Sequence, residues 1–189
     1  MGTLVISENI TLDGVIEDPT GEDGFEHGGW FSAMGDDDRQ AWAAVEAGEA
    51  DQAEALLLGR RTYEWLTARW LTRTGAWAER LAAMPKYVVS TTLVETPWPS
   101  TTVLKGDVLD QVRELKEQLS GEIVVNGSGR LARALIEHDL VDELRLMVYP
   151  SVLGSGERLF PSTRTALSMR LVEARKVGDG LVTVTYRRG

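Results

Sequence analysis

Short apolar runs and helix-like patterns alternate along the middle of the chain. The opening TLVISENITL is rich in Val, Ile and Thr and predicts a strand. Further along, strands are predicted at 55–58, 86–90, 102–104 and 122–125, and helices from about Thr62, at 76–84, from Asp107 and at 129–138. This alternation is typical of a sheet whose middle strands are parallel.

The C-terminal part has a different pattern. ELRLMVYP, MRLVEARKV and LVTVTYRR are strand-like and no long helix separates them. Gly178-Asp179-Gly180 lies between the last two and predicts a hairpin. The length of 189 residues suits one domain, so we predict a single α/β domain over residues 1–189. Its central sheet should be mostly parallel, with an antiparallel C-terminal strand pair.

A long loop is predicted at residues 17–37, before a helix that begins in the acidic run 36–38. Long loops inside compact domains are usually functional, and this one is rich in glycine and acid. We expect it to act as a lid anchored by apolar side chains such as Trp30. Asp13, just before it, is the candidate catalytic carboxylate; the alternative is that Asp13 only shapes a tight turn with Gly14.

Three strand-to-helix junctions carry side chains suited to phosphate, in residues 56–64, 86–93 and 122–135. Helix N-termini present free N–H groups, and the helix dipole favours an anion there. One such junction is common in α/β proteins. Because three occur in this chain, we interpret them together as a dinucleotide site.

The first junction, LLLGRRTYE, places two permanent cations at the start of a helix. Gly59 allows close backbone approach, and the guanidinium groups of Arg60 and Arg61 bind phosphate bidentately. Thr62 lies in the first turn of the same helix. The alternative is a pair of surface arginines with Thr62 as an ordinary N-cap.

The other two junctions are less specific when each is taken alone. Ser90, Thr91 and Thr92 offer hydroxyl groups suited to a ribose 2′-phosphate, although such residues often merely end a strand. NGSGRLA matches the G-x-G-x-x-A pattern of a pyrophosphate turn through Gly127 and Gly129. The motif comes late in the chain and the next strand ends without an acid, so a Rossmann unit is not predicted. LGSGERLF, at 153–160, is interpreted as a turn.

Composition and charge exclude several function classes. The chain has no cysteine, and its two histidines lack metal-ligand spacing, so no metal site is expected. The net charge of −9 disfavours nucleic acid, and no apolar run reaches membrane-spanning length. The N-terminus lacks a signal-type pattern, so a cytoplasmic location is expected. Residues 1–60 carry a net charge of −12 and the remaining 129 carry +3, which favours a phosphate-bearing ligand in the second part.

Taken in order, these motifs resemble the dihydrofolate reductase-like superfamily, in the branch similar to the C-terminal reductase domain of bacterial riboflavin-biosynthesis proteins. The resemblance covers nearly the whole chain and implies a mostly parallel sheet with helices on both faces, NADPH as cofactor, and a possible homodimer. The positions that match the family's cofactor contacts are Ile16, Gly59, Arg60, Arg61, Thr62, Ser90, Thr91, Thr92, Gly127, Ser128, Gly129, Arg130 and Leu131. The candidate substrate contacts are Asn9, Asp13 and Trp30. Folate reductases have a Gly-Gly pair where this chain has Gly127-Ser128.

The leading functional hypothesis is an NADPH-dependent reductase that delivers hydride to a small heterocyclic or sugar-like substrate. A second enzyme hypothesis is reduction of 5-amino-6-(5-phosphoribosylamino)uracil in riboflavin biosynthesis. A third, of a different class, is a protein that binds a nucleotide or drug without turnover.

Overall fold

A computed structural model of the chain describes residues 1–161 and 166–189. Within them, the strands are β1 (Thr3–Thr11), β2 (Ala53–Gly59), β3 (Lys86–Val89), β4 (Thr101–Leu104), β5 (Glu122–Asn126), β6 (Glu143–Tyr149), β7 (Met169–Val177) and β8 (Leu181–Arg188). The helices are α1 (Asp36–Gln52), α2 (Arg60–Trp70), α3 (Ala76–Ala83), α4 (Val108–Gln118) and α5 (Gly129–Glu137). The order of elements is the predicted one. At the first predicted phosphate junction, α2 begins at Arg60 rather than near Thr62.

The strands form a mixed sheet in the order β4-β3-β2-β5-β1-β6-β8-β7. β2 pairs in parallel with both β3 and β5, and β3 pairs in parallel with β4. At the other end of the order, β8 pairs antiparallel with β6 and β7. The predicted α/β fold class, with its antiparallel C-terminal strand pair, is therefore confirmed.

The chain divides into two compact units. Unit 1 comprises Met1–Val5 and Ala47–Val141, and unit 2 comprises Ile6–Glu46 and Asp142–Gly189. The expectation of one domain over residues 1–189 stays a prediction, and the two units are described separately below.

The core of unit 1 combines aliphatic strand residues with buried aromatic rings. Leu58 and Val88, on neighbouring parallel strands, are fully buried. Tyr63 of α2 and Trp98 pack edge to face at 5.9 Å between ring centroids. Burial of these large apolar side chains is the main force that fixes β2, β3 and α2 against each other.

Lys86 is the unexpected member of this core, because its side chain is completely buried. Its ammonium group donates to the carbonyls of Leu81 and Met84 at the end of α3, and it lies 4.5 Å from the ring centroid of Trp98. A cation at a helix C-terminus satisfies carbonyl groups that lack intrahelical partners. Burial, and to a lesser degree the nearby Arg80 charge, lower the pKa of Lys86 to about 8.

The core of unit 2 lies between α1 and one face of the C-terminal strands. Its buried residues are Trp30, Met147, Tyr149, Val177 and Leu181, against which α1 packs Ala41, Trp42 and Val45. The predicted acidic start of α1 is confirmed, and one of its carboxylates has a structural role. Asp38 accepts hydrogen bonds from the N–H groups of Asp179 and Gly180, so it caps the turn between β7 and β8.

Candidate cofactor-binding site

The three predicted phosphate junctions lie at one edge of the sheet. They follow β2, β3 and β5, which are neighbours in the order β3-β2-β5. Because these strands are parallel and in register (Gly59 opposite Val89, Leu56 opposite Val124), their carboxyl ends meet at the same edge. Ligands of open α/β sheets bind outside such an edge. The structure therefore brings together, within unit 1, all three segments that the sequence singled out.

The helix α2 begins without a side-chain cap. Its N-cap residue is Gly59, with extended backbone (φ −77°, ψ 158°) and no side-chain hydrogen bond. The alternative interpretation of Thr62 as an N-cap is therefore wrong, since Thr62 is the third residue of the helix. A helix N-terminus without a cap keeps N–H groups and the positive end of its dipole available to an anion.

The hydroxyl groups of Thr62 and Ser128 connect the first and third junctions. The N–H of Gly59 donates to Ser128 Oγ at 3.0 Å. Ser128 in turn donates to Thr62 Oγ1 from its backbone N (3.1 Å) and from its hydroxyl (3.0 Å). A hydroxyl has one proton and two lone pairs. The Ser128 hydroxyl also lies 3.4 Å from the Asn126 carbonyl, so the Thr62 and Ser128 hydroxyls belong to one network that joins the two junctions.

The glycine turn has a left-handed backbone at two successive residues. Gly127 has φ +58° and Ser128 has φ +59°, and Ser128 is the N-cap of α5, again without a side-chain cap. A Cβ at Gly127 would meet the Thr62 side chain at 3.5 Å, so conformation rather than space requires glycine there. Gly129 is the first residue of α5. The left-handed backbone conformation therefore occurs at residues 127 and 128, where folate reductases have their Gly-Gly pair.

The arginine side chains at this edge of the sheet differ in whether they form an ion pair within the protein. Arg60 is bound by Glu64 one turn later in α2, with Nη1–Oε distances of 3.0 and 2.9 Å. Both side chains are more than two-fifths exposed, so the pair contributes only about 0.2–1 kcal/mol and a phosphate is able to replace it. Arg61 and Arg130 are exposed, whereas Leu131 is 92% buried and serves as a packing residue. In the described part of the chain, no ion pair engages Arg61.

The predicted 2′-phosphate segment forms a compact turn after β3. Ser90 is buried, and its hydroxyl oxygen accepts from the N–H groups of Thr92 (3.1 Å) and Leu93 (2.9 Å). Ser90 follows the last residue of β3, so it ends the strand, which was the structural alternative for the segment. Thr91 and Thr92 are exposed beside it. Their contact with a cofactor stays a prediction.

These donors fit a dinucleotide. Two helix N-termini without side-chain caps, connected through the Thr62 and Ser128 hydroxyls, suit a pyrophosphate. An exposed guanidinium on the first turn of α2 suits a further phosphate. The residues that would hold the phosphate groups of NADPH are therefore present in this unit, although the binding itself stays a prediction.

Asp13, the candidate catalytic residue, lies in unit 2 and holds a loop. Its carboxylate accepts from the Thr11 hydroxyl (2.7 Å) and from the N–H groups of Leu153 (3.2 Å) and Gly154 (2.8 Å). Arg158 donates to the Asp13 carbonyl at 2.9 Å. The Thr11 hydrogen bond, helped by the two N–H groups and opposed by desolvation, lowers the pKa of Asp13 to about 2. Asp13 is therefore anionic at neutral pH and is not a proton donor there.

The candidate substrate contacts Asn9 and Trp30 belong to a buried polar and aromatic network of unit 2. Asn9 Oδ1 accepts from Trp42 Nε1 (3.2 Å) and from the Tyr149 hydroxyl (3.1 Å). Trp30 is 95% buried, packs edge to face on Tyr149 at 5.0 Å and donates to the Glu17 carbonyl. The buried side of Trp30 is thus occupied by core residues, and its role as a substrate contact stays a prediction.

The loop at 17–37 is closed on itself by Asp18. The Asp18 carboxylate accepts from the N–H groups of Glu22 and Phe25, and its carbonyl accepts from Gly21 and Gly29. Residues 17–35 therefore have defined structure without helix or strand, and α1 begins at Asp36, in the last two residues of the predicted loop. Closure of the loop as a lid stays a prediction. Ile16, the predicted cofactor contact beside it, is half-buried and its N–H donates to the Glu157 carbonyl.

Sequence reasoning missed two polar groups in unit 2. Tyr149 is buried, which raises the pKa of its phenol, so the hydroxyl stays protonated and donates to Asn9. Arg158 lies in the segment 153–160, which the sequence analysis interprets as a turn, and it donates to the Asp13 carbonyl. The sequence signal that could have identified Tyr149 is its position at the end of a strand, directly before a proline.

Residues 1–161 and 166–189 contain neither a metal-ligand cluster nor a membrane-spanning helix. No group of three or more His, Asp or Glu side chains there is arranged to hold a metal ion. None of the helices in the same ranges is long and apolar enough to cross a membrane.

Comparison with solved structures defines the class of fold. A protein from Shewanella sp. PV-4, designated a riboflavin biosynthesis protein, matches with a TM-score of 0.75 and 22% identity over 99% of each chain. Dihydrofolate reductase from Enterococcus faecalis, solved with NADP(H), matches with a TM-score of 0.63 and 17% identity, covering 100% of this chain and 97% of its own. The fold is therefore dihydrofolate reductase-like.

The sequence family is narrower than the fold. The model of the RibD C-terminal domain matches residues 3–183, and the chain belongs to that family. The uncharacterized protein YyaP of Bacillus subtilis (strain 168) is 26% identical over 195 residues, covering 97% of this chain and 93% of YyaP. The resemblance inferred from the motifs is thereby confirmed.

Proposed function

We propose that the protein is an NADPH-dependent reductase acting on a small heterocyclic or sugar-like substrate. The observation that carries the proposal is the connection between Thr62, Ser128 and Gly59, which joins two helix N-termini at the carboxyl edge of parallel strands. Membership of the RibD C-terminal domain family supports the reductase class.

Within this proposal, the residues of unit 1 bind and orient the cofactor. The left-handed turn at Gly127 and Ser128 lets the backbone approach the pyrophosphate, and the Thr62 hydroxyl, held by Ser128, donates to a phosphate oxygen. Arg61 supplies the first cation for the 2′-phosphate, and Arg60 adds a second when it leaves Glu64. When bound, the reduced nicotinamide supplies the hydride.

The substrate assignment depends on unit 2. Asp13 is anionic at neutral pH, so its negative charge disfavours an anionic substrate group and favours a ring with N–H or amino groups, and Asp13 cannot itself supply the proton that accompanies hydride transfer. Pterins and aminouracils have such groups. 5-Amino-6-(5-phosphoribosylamino)uracil is one member of this class, and we keep it as the second candidate because the chain belongs to the RibD C-terminal domain family.

The test is turnover of NADPH by the purified chain. NADPH is mixed with each member of a panel of pterins, aminouracils and quinones, and the loss of reduced nicotinamide absorbance is followed. We expect oxidation with at least one N–H-bearing heterocycle and none with Gly127→Val as a matched control. NADPH binding without oxidation of any panel member would instead support a protein that sequesters nucleotides.

A further inference from the structure

The strand registers of unit 2 place two arginines directly opposite each other. On one side, Arg187 of β8 pairs with Glu143 of β6, and on the other side it pairs with Arg170 of β7. Directly paired residues point to the same face of a sheet, with Cβ atoms about 4.5–5.5 Å apart. Glu143, Arg187 and Arg170 therefore form a row across three strands, which we call the arginine row. It carries two positive charges and one negative charge.

A buried carboxylate holds Arg187 in place within this row. Glu143 is only 1% exposed, and its Oε2 accepts from Nε (2.9 Å) and from Nη2 of Arg187. Its Oε1 accepts from Arg145 Nε at 2.7 Å, so one carboxylate orients two guanidinium groups. A guanidinium has five N–H donors, so Arg187 keeps donors that Glu143 does not use. Because the Arg187 side chain is 52% exposed, these donors are accessible from solvent.

Arg170, at the other end of the row, is not neutralised in this way. It is exposed, and no other residue that the structure describes forms an ion pair or hydrogen bond with its guanidinium. Like charges directly opposite each other destabilise a sheet, so the Arg170–Arg187 pair has a cost that a neutral side chain would avoid. Positions that sacrifice stability are typical of functional sites. The exposed end of the row therefore has an excess of positive charge that an added anion would balance.

The adjacent row on the same face limits the kind of anion that fits. It consists of Arg145, Thr185 and Glu173, and it lies two residues further along β8, which is roughly 7 Å. Glu173 is exposed and has no ion pair with an arginine of the described ranges. An extended acidic chain lying across both rows would meet this carboxylate and be repelled. A compact anion beside Arg170 and Arg187 avoids it.

The arginine row is remote from Asp13, the candidate substrate contact in the same unit. β6 begins at Glu143 and ends at Tyr149, and the Asp13 carboxylate accepts from the N–H of Gly154, beyond that end. The length of β6 corresponds to about 20 Å of extended strand. An anion at the arginine row is therefore not part of a substrate ring held by Asp13.

We propose that Arg170 and Arg187 bind the phosphate group of a small molecule, at a site separate from the proposed cofactor site of unit 1. Guanidinium groups bind phosphate oxygens bidentately, and one phosphate between the two arginines accepts from both and offsets their repulsion. Arg187 is already oriented by Glu143, so little of its side-chain freedom is left to lose on binding. Occupation of this site does not require the proposed reductase activity.

The first test follows the backbone amide signals of the chain by NMR while inorganic phosphate replaces chloride at constant ionic strength. In the wild type, the signals of Arg170 and Arg187 are expected to shift saturably. Arg170→Gln is expected to weaken the phosphate affinity measured at Arg187 roughly tenfold or more. Arg175→Gln is the matched control, because Arg175 is exposed on the same strand and face, and it should keep the wild-type affinity.

The signals of Gly59 and Ser128 report phosphate at the proposed cofactor site, so the two sites are distinguished in one titration. The absence of a saturable shift at Arg170 and Arg187 would overturn the proposal. An unchanged affinity in Arg170→Gln, or equal losses in Arg170→Gln and Arg175→Gln, would overturn it as well.

A second test separates a binding role of Arg170 from a structural one. In phosphate-free buffer, Arg170→Gln should unfold at a higher urea concentration than the wild type, because the repulsion with Arg187 is removed. Added phosphate at constant ionic strength should raise the urea midpoint of the wild type more than that of the variant, since a ligand of the folded chain stabilises it. A variant that is less stable than the wild type without phosphate, or that gains as much from phosphate, would instead make Arg170 a structural residue.

Discussion

Replacing Ser128 separates the two roles that the structure gives this residue. Its hydroxyl accepts from the Gly59 N–H and donates to Thr62, and its backbone has φ +59°, which costs a side-chain-bearing residue about 1–2 kcal/mol. Ser128→Ala removes the hydroxyl and keeps the unfavourable backbone. Ser128→Gly removes the hydroxyl and relieves the backbone.

The expected changes in stability and in NADPH affinity follow from these contacts. Loss of the acceptor leaves a half-buried Gly59 N–H without its partner, which costs about 1 kcal/mol, the low end of the range for unsatisfied donors. Ser128→Ala should therefore be less stable than the wild type by about 1 kcal/mol, and Ser128→Gly should regain about as much through its backbone. Both variants lose the bridge to Thr62, so both should bind NADPH about five- to tenfold more weakly.

The assay combines chemical unfolding with NADPH titration by fluorescence. Ser155→Ala is the control, because Ser155 is exposed and lies in unit 2. NADPH binding by Ser128→Ala as tight as that of the wild type would show that the Ser128–Thr62 hydrogen bond has no part in the cofactor site. A Ser128→Gly variant no more stable than Ser128→Ala would show that the left-handed backbone carries no cost.

Four further predictions concern the cofactor turns and two buried or hydrogen-bonded charges. Arg61→Ala should weaken NADPH binding roughly tenfold or more, because one charge-assisted hydrogen bond contributes about 1.5–3 kcal/mol. NADH binding should be unchanged. Equal losses of affinity for both cofactors would show that Arg61 does not contact the 2′-phosphate. Gly127→Val should abolish NADPH binding, since valine is strongly disfavoured at φ +58°, and circular dichroism should show the fold intact. The pKa of the Asp13 carboxylate is lowered from 3.8 to about 2. The ionised carboxylate therefore stabilises the folded protein fully above about pH 4, and this contribution is lost as the pH falls toward 2. Asp13→Asn should lack this part of the acid unfolding profile, and an unchanged profile would contradict the assignment. Lys86→Met should lower the free energy of unfolding by about 2–3 kcal/mol, because buried carbonyls at the end of α3 lose their charged donor. A variant as stable as the wild type would show that water replaces the ammonium group.

The sequence predicted the order of elements and the three junctions because these depend on local patterns. Apolar runs that end in Gly59 or Gly127 indicated where strands turn into helices, and parallel strands necessarily bring their carboxyl ends to one edge. The α/β fold and its C-terminal hairpin were predictable for the same reason.

The contacts within the site were not predictable, since they join residues far apart in the chain. Thr62 and Ser128 are 66 residues apart, and Asp13 is 141 residues from Gly154. No local pattern shows that one hydroxyl meets another, or that a carboxylate has its lone pairs occupied by a distant loop. The buried ammonium of Lys86 was missed because lysine is almost never fully buried.

The relative affinity of the wild-type chain for NADPH and NADH tests the central claim most directly. Both dissociation constants are measured by titration at one ionic strength, since screening by salt weakens the phosphate contact. Because at least one charge-assisted contact to the 2′-phosphate is proposed at Arg61, NADPH is expected to bind roughly ten- to a hundredfold more tightly. Equal dissociation constants, or no measurable binding of either cofactor, would contradict the proposed NADPH site.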